Sequence, residues 1–501
     1  MIVGGCKSKK EGLGALGDAN VSISENNFSN IENVLKVPSR KVTDKEGEAA
    51  LKAVGFWEKN KKLTWESRSG GKGTYTFKNV SGKKGKETFL IKTLKFTGLH
   101  QIGSSTNADL LEASDIEFAT RKGSMTIKNA GLRGITIPTD FSDLARSNAL
   151  SSGGDAEGVA AFVINGIKGA TADGTNFDVS QLGWGQDPKD NHLRFAVDDF
   201  TLNGTAKGGD AFSMSLDMLQ ARGLNPVPAG ENGEIPVLKL NAGLSDILST
   251  NPQVGNFIAK DMSFKSDILS MALPKMVQTA KAKGDVQHLN FSMPKMTIEM
   301  NEVEGMSGQE RQMFGIMKSA GFDKMELSSE GKTLINETAD FMDIQAASFD
   351  LKDGFDLNYS GALSGLNAMR LTSLDSAASQ ADIQGAQNNV KLHGFALSLE
   401  DKSIVDRGFA LAGEMMGQSP ENLRRQANGV LALGSLAALT QDDGKIYSEL
   451  SKAVGEFIQD GGTLNIAMQP DQPMSLTELQ GLTQGNKPDL KRLGFSSSTT
   501  K

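Results

Sequence analysis

The chain has 501 residues, a formal net charge of −7 and one cysteine, and only 6% of its residues are aromatic. A lone cysteine excludes an intramolecular disulfide and any multi-cysteine metal site, and the acidic balance excludes the whole-chain basic signature of a nucleic-acid binder. With 56 glycines and 20 methionines, the apolar surface comes mainly from aliphatic and thioether side chains, which pack adaptably.

At the start of the chain, Val3-Gly4-Gly5-Cys6 sets an aliphatic and two small residues before the thiol. The run resembles the lipobox of bacterial lipoproteins, in which a signal peptidase cuts before the cysteine that receives diacylglycerol. Lys7, Ser8, Lys9, Lys10 and a glycine-rich run to Gly17 read as a tether. Only Met1 and Ile2 precede Val3, so the apolar stretch of a signal peptide is expected upstream of this sequence; the bland alternative is a cytosolic protein with one incidental cysteine. Cys6 is therefore the expected lipidation site. Membrane lipid is the expected partner, and the expected location is the periplasm, anchored to the outer membrane ahead of the inner. No later run approaches the ~18 uninterrupted apolar residues of a spanning helix.

Between Lys36 and Lys95 sixteen basic residues face six acidic ones, a local charge of +10 that leaves −17 for the rest of the chain. Lys83, Lys84 and Lys86 are a dense point of this stretch and candidate contacts to an anionic membrane surface. The bland alternative is a solvated charged face.

From there onward one pattern recurs: apolar residues spaced by two, a skip of three, then spacing by two again. Its copies are Phe89, Ile91, then Leu94, Phe96; Met125, Ile127, then Ala130, Leu132; Leu193, Phe195, Val197, then Phe200, Leu202; Leu289, Phe291, Met293, then Met296, Ile298, Met300; and Met342, Ile344, Ala346, then Phe349, Leu351. Steps of two predict strands with one buried face, since a helix needs spacings of three and four. A β-bulge at the skip returns the apolar set to the same face, and Pro294 sits at a skip, where a missing backbone donor costs least. On this phase Phe291 belongs to the buried face and Asn290 to the open one.

Two segment pairs look like internal duplicates: His192-Leu193-x-Phe195 with His288-Leu289-x-Phe291, and Gly73 to Asn79 with Gly123 to Asn129. A two-residue turn at Gly284-Asp285 would set Met276 opposite Met293 and Leu273 opposite Met296. Further on, a strand is expected over Val390–Leu399 and a helix over Ile404–Met416. Ser419 and Pro420 cap a second helix running to Leu439, and a third is expected near Tyr447–Ile458, with Ile446, Leu450, Ala453, Val454, Phe457 and Ile458 as its stripe. Gly461-Gly462 ends it, before a strand over Thr463–Met468.

The ending, Phe457 to Leu464, Met468-Gln469-Pro470, Met474-Ser475-Leu476 and Leu490 to Phe495, resembles hypothetical envelope proteins of alphaproteobacteria. The hairpin around Trp65 and Gly73 to Phe77, with its repeats, resembles the broader YdgA-like and AsmA-like exported proteins. The resemblance implies an envelope location, a repetitive β architecture with a concave apolar face, and a link to lipid traffic. It carries over no catalytic residue.

Local chemistry is sparse. The four histidines, His100, His192, His288 and His393, lie more than ten residues apart, so no local histidine metal motif exists. Nucleophile elbow, phosphate-binding loop and EF-hand loop are absent. Acid pairs such as Asp198-Asp199 and Asp442-Asp443 could do acid–base work, but neighbours on a strand point to opposite faces and the second pair precedes Gly444 in a turn. No metal and no cofactor is expected. The sequence thus predicts a β-rich α+β fold of repeated long bulged antiparallel strands in an extended curved sheet, with a C-terminal helical insertion. Its expected divisions are 1–34 (lipobox and flexible tether), 35–150 (basic β module), 151–388 (central β repeats) and 389–501 (strand, helices, strand). The expected function is a non-catalytic envelope lipoprotein that holds phospholipid or acyl chains on an apolar face including Leu193, Phe195, Val197, Leu289, Phe291 and Met293. An envelope scaffold with a protein partner is the alternative, and a glycan or lipid hydrolase a third.

Overall fold

The computed structural model describes residues 31–36, 40–60, 62–103, 105–137, 159–206, 209–223, 254–303, 306–336, 338–366, 379–438, 444–475, 478–479 and 490–501. These are mostly antiparallel strands in one long, open, curved sheet. After a 3-10 turn at Ile31–Leu35 come α1 (Asp44–Ala53), the short strands β1 (Leu63–Thr64) and β2 (Ser67–Gly71), then β3 (Thr74–Lys84), β4 (Glu87–Thr97), β5 (His100–Ile102), β6 (Ser105–Thr120) and β7 (Gly123–Ile137). The centre holds β8 (Ala161–Thr171), β9 (Asn176–Gln186), β10 (Leu193–Thr205), β11 (Ala211–Gly223), β12 (Val254–Ser266), β13 (Leu269–Lys283) and β14 (Val286–Met300). Next are α2 (Gly308–Ser319), β15 (Lys324–Asn336), β16 (Phe341–Leu351), β17 (Phe355–Ser364), α3 (Gln380–Asn389) and β18 (Lys391–Asp401). Three helices, α4 (Ile404–Met416), α5 (Pro420–Ala438) and α6 (Gly444–Asp460), precede β19 (Gly462–Met468), β20 (Met474–Ser475) and β21 (Ser496–Thr500).

Apart from the side strands β1, β2, β5 and β20, each strand pairs antiparallel with the strands before and after it, so the chain runs as a meander from β3 to β19 and ends on β21. The predicted skip is a physical seam across this meander. From β3 to β11 the ladders omit one residue per strand in the same column, Asn79, Lys92, Asp115, Lys128, Gly166, Ser180, Asp199 and Asp217. Every second strand enters the column with a left-handed residue: Asn79 (φ 49°), Asp115 (48°), Gly166 (65°), Asp199 (49°) and, on β12, Asp261 (48°). Asn, Asp and Gly are the residues that tolerate this conformation. On β14 the shift falls between Met293 and Met296, at Pro294.

Both rows bordering the seam are apolar. One runs Phe77, Leu94, Ala113, Ala130, Ile164, Leu182, Val197, Leu219; the other Val80, Ile91, Ile116, Ile127, Ile167, Val179, Phe200, Leu216. The opposite face carries direct cross-strand ion pairs, Lys95–Glu112 (2.8 Å), Lys168–Asp178 (2.8 Å) and Lys324–Glu299 (2.5 Å). At the basic end α1 and the segment after it close the apolar face. Leu51, Val54 and Phe56 are fully buried, and the Phe56 ring lies 4.7 Å from Phe77 and 5.4 Å from Phe96. At the other end Ala453 and Phe457 of α6 pack on Leu464, with Leu399 and Ile466 beside them.

The C-terminal helices fall where capping and stripe place them, and Ser419 Oγ accepts from the Asn422 amide at 3.3 Å. The Gly284-Asp285 turn joins Lys283 to Val286, and Val277 with Ser292 and Ala272 with Thr297 keep the expected register, but between them the ladder shifts and Lys275 pairs with Lys295, so Met276 with Met293 and Leu273 with Met296 are not ladder pairs. Three details differ. Ile31–Leu35 is not tether: Ile31 and Val34, three apart, pack on Ala161, Val163 and Ala196 of the opposite face. On β16 the skip comes one step earlier than read. Ala347 continues the row of Phe291 and Gly331, while Ala346 pairs with Lys332, whose own partner is Asn290. The Gly73–Asn79 duplicate is displaced as well, since Phe77 shares its row with Ala130 and not with Ile127. α1 and α2 were legible and overlooked: Thr43 with Glu46 and Ser307 with Glu310 are complete capping boxes.

The seam yields a test at Asp199. Asp199→Gly removes left-handed strain and should leave stability unchanged or raise it by up to about 1 kcal/mol, whereas Asp199→Val should lower it by about 1–2 kcal/mol. Urea denaturation of the two variants measures the difference, and equal effects would mean that the seam is not strained there.

Candidate functional site

Between its closed ends the apolar face is only half-covered. A row across β10 to β15, Leu202, Met214, Phe264, Met271, Ile298 and Met325, is half-buried at every position. A second row links Phe195 through Ala221, Phe257 and Gln278 to Phe291, so the two His-Leu-x-Phe segments stand in register along one line with three strands between them. The six residues expected to form a ligand face divide along this line. Leu193 and Phe195 are buried in a closed cluster with Val159, Trp184 and Ala221, and Val197 packs half-buried beside them. Leu289, Phe291 and Met293 are half-buried on β14, within the open stretch. Among the described residues the α-helices packed on the sheet lie at its ends, α1 against β5 and β6, α6 against β19 and β21, and α3 against β20, while the 3-10 turn at Ile31–Leu35 packs on β7 to β10 from the opposite face.

The opposite face has a different texture. Toward β19 it presents two adjoining rows of small side chains, Asn358, Ser398, Asn465 and Ser498 beside Ser360, Ala396, Ala467 and Ser496, and these line a hollow of about 430 Å³. It holds hydroxyls and amides without a charged group.

At the basic end, Lys83 pairs with Thr88 and Lys84 with Glu87, and Gly85-Lys86 forms the hairpin tip. The Lys83 and Lys86 side chains are exposed. Nearby, Trp57 is half-buried with Lys52 Nζ 4.6 Å and the Arg68 guanidinium 4.8 Å from its ring. Cys6 lies outside the described residues, as do the tether to Gly17 and Asp442-Asp443. No helix among the described residues is long and apolar enough to cross a membrane.

The histidines serve local hydrogen bonds. His100 Nδ1 meets the Gly98 carbonyl at 2.6 Å, His192 Nδ1 the Gly223 carbonyl at 2.8 Å, and His393 Nε2 the Ser364 hydroxyl at 2.8 Å, while His288 is exposed. Among the described residues no group of three or more His, Cys, Asp or Glu is placed to hold a metal. Asp198 and Asp199 do not act together, because Asp199 is the seam residue and Asp198 accepts from Gln220 Nε2 at 3.1 Å. What the sequence did not reveal is a charged row, buried Arg133, Arg194 and Asp187 with half-buried Arg222 and Asp190, which only the register assembles.

A family described only as an uncharacterized protein matches residues 348–499, from the end of β16 to β21. No curated protein matches the chain.

Burial pushes the Asp198 carboxyl above the ordinary range, and the nearby Asp199 and Asp217 push the same way. The folded state therefore holds this proton more tightly than the unfolded state. The stability linked to the group is present in acid and is lost as pH rises through the raised value. Asp198→Asn should accordingly be more stable than wild type at about pH 7, and the advantage should vanish below about pH 4. Denaturation midpoints at the two pH values measure this, and a constant difference would assign the effect to packing.

Proposed function

We propose that the protein is a lipid-anchored, non-catalytic envelope protein that holds phospholipid or acyl chains against the central stretch of its apolar sheet face. The observation that supports this is the half-covered run of Phe, Met, Leu and Ile side chains from β10 to β15, open between two closed ends. A surface of this kind suits a flexible chain for a physical reason. Methionine adapts its shape, so acyl chains of different length and unsaturation find contacts, and each methylene taken from water contributes about 0.8 kcal/mol. The basic end carrying Lys83 and Lys86 lies at the opposite end of the sheet from α6 and is the part of the sheet nearest in sequence to the proposed anchor at Cys6, so anionic lipid would meet it.

Delipidated protein should take up a fluorescent phospholipid and return it chemically unchanged. Phe264→Asp and Phe291→Asp should each reduce uptake about tenfold or more while far-UV circular dichroism shows the sheet intact, both residues being half-buried rather than core. Wild-type protein that takes up no lipid favours the scaffold reading, and release of an altered lipid makes the protein an enzyme.

The anchor is tested separately, with the gene product carrying its upstream residues. Metabolic palmitate labelling should mark the wild type and miss Cys6→Ser, and equal labelling of the two removes the lipoprotein assignment.

A further inference from the structure

Three arginines stand in one row on the face opposite the apolar one. Arg133 of β7 pairs with Ala161, Ala161 with Gly185, Gly185 with Arg194 of β10, and Arg194 with Arg222 of β11. The two residues between Arg133 and Arg194 are the smallest available. A Cβ on Gly185 would lie 2.2 Å from that of Ala161 and 3.2 Å from that of Val34, so the row is clear only with glycine there. Arg133 extends across this gap, and its Nη2 donates to the Gln186 carbonyl at 3.1 Å.

Two carboxylates from the β9–β10 turn enter the row. Asp187 Oδ2 lies 3.0 Å from Arg194 Nε, and Asp190 Oδ2 lies 2.7 Å from Arg194 Nη2 and 3.0 Å from Arg222 Nη2. Arg133 and Arg194 are 3% and 7% exposed and Asp187 is 1% exposed, so these charges are largely out of water. Burial holds the His192 imidazole below its ordinary range, leaving it neutral at pH 7. Among the described residues the row therefore carries three cations against two anions. Arg133 Nε, Arg194 Nη1 and Arg222 Nε are enclosed and meet no hydrogen-bond partner among the described residues.

A buried guanidinium without a matching anion is costly, and its unused donors add to the cost. Arg222 and Asp190 keep 27% and 30% of their side chains exposed, which leaves an approach from solvent on that side. We infer that the Arg133–Arg194–Arg222 row is a binding site for a phosphate-type oxyanion, which supplies the missing negative charge and accepts from the unused N–H groups. Guanidinium matches such an anion in geometry as well as charge. The inference is independent of the acyl-chain reading, because this row lies on the other face of the sheet.

The full chain, exchanged into phosphate-free buffer, is titrated calorimetrically with inorganic phosphate and, in parallel, with dihexanoyl phosphatidic acid below its micelle concentration. Saturable binding of either, near one per chain, is expected. Phosphate binding identifies a free ion as sufficient, and binding of phosphatidic acid alone identifies a lipid headgroup. Arg222→Met, at the half-exposed end of the row, should weaken binding about tenfold or more. Asp190→Asn should strengthen it by several-fold, since it removes a competing carboxylate; a purely structural ion-pair network would show no such gain. Binding of neither probe by folded wild-type protein overturns the inference, as does unchanged affinity in Arg222→Met.

Discussion

Strands of 11–16 residues cannot carry one apolar face across a meander unless every local irregularity is shared by the neighbours. One extra residue in a single strand would turn its remaining side chains over and set apolar groups against the ion pairs of the other face. Here each strand from β3 to β11, the side strand β5 apart, gives up one position to the same column, so the two rows on either side stay in phase across the whole stretch. The seam is what lets Phe77 and Leu219 belong to one face although the intervening chain crosses the sheet repeatedly. Alternating Asn, Asp or Gly at left-handed geometry with residues of ordinary backbone puts the unusual conformation on every second strand only.

This constraint is also why so much was legible in sequence. The skip of three is the one-dimensional trace of the seam, and four of its five copies give the correct face throughout. The fifth failed at Ala346 for an identifiable reason: Ala347 follows it, and two adjacent alanines leave the apolar alternation without a phase. The His-Leu-x-Phe pair marks a true row, whereas the Gly73 and Gly123 segments match in letters and differ in register by one apolar step. Short amphipathic turns were harder to see. Ile31 and Val34 sit in a polar context, and their partners Ala161 and Ala196 are far away in sequence, so nothing local distinguished the 3-10 turn from the tether before it.

The candidate site was legible in part. Spacing identified which side chains share the apolar face and could not say where that face is covered. Leu193 and Phe195 differ from Leu289 and Phe291 in surroundings, not in pattern: Val159 and Trp184 close the first pair in, whereas Leu289 and Phe291 stay half-buried among the described residues. The arginine row was wholly illegible. Arg133, Arg194 and Arg222 lie 61 and 28 residues apart in the chain, and three strand pairings are needed to bring the first beside the second.

A single sheet layer has two faces and normally needs a second layer on its apolar one. The ends of this sheet meet that need with α1 and α6, and the middle meets it only in part, through contact between neighbouring rows. Left to water, such a stretch would invite association with any other apolar surface, and an extended sheet with free edges is a ready template for that. The polar face limits one route, since its Lys–Glu and Lys–Asp pairs make stacking by that side unfavourable without new partners. Among the described residues an apolar strip remains half-covered between closed ends, and under the proposed function it would lower its free energy by taking up a flexible apolar chain. A rigid second layer would have to follow the bend at the seam strand by strand, whereas an acyl chain conforms to it by rotating about single bonds. Were the strip occupied as proposed, the seam that keeps the apolar face continuous would favour a pliable occupant over a fixed one.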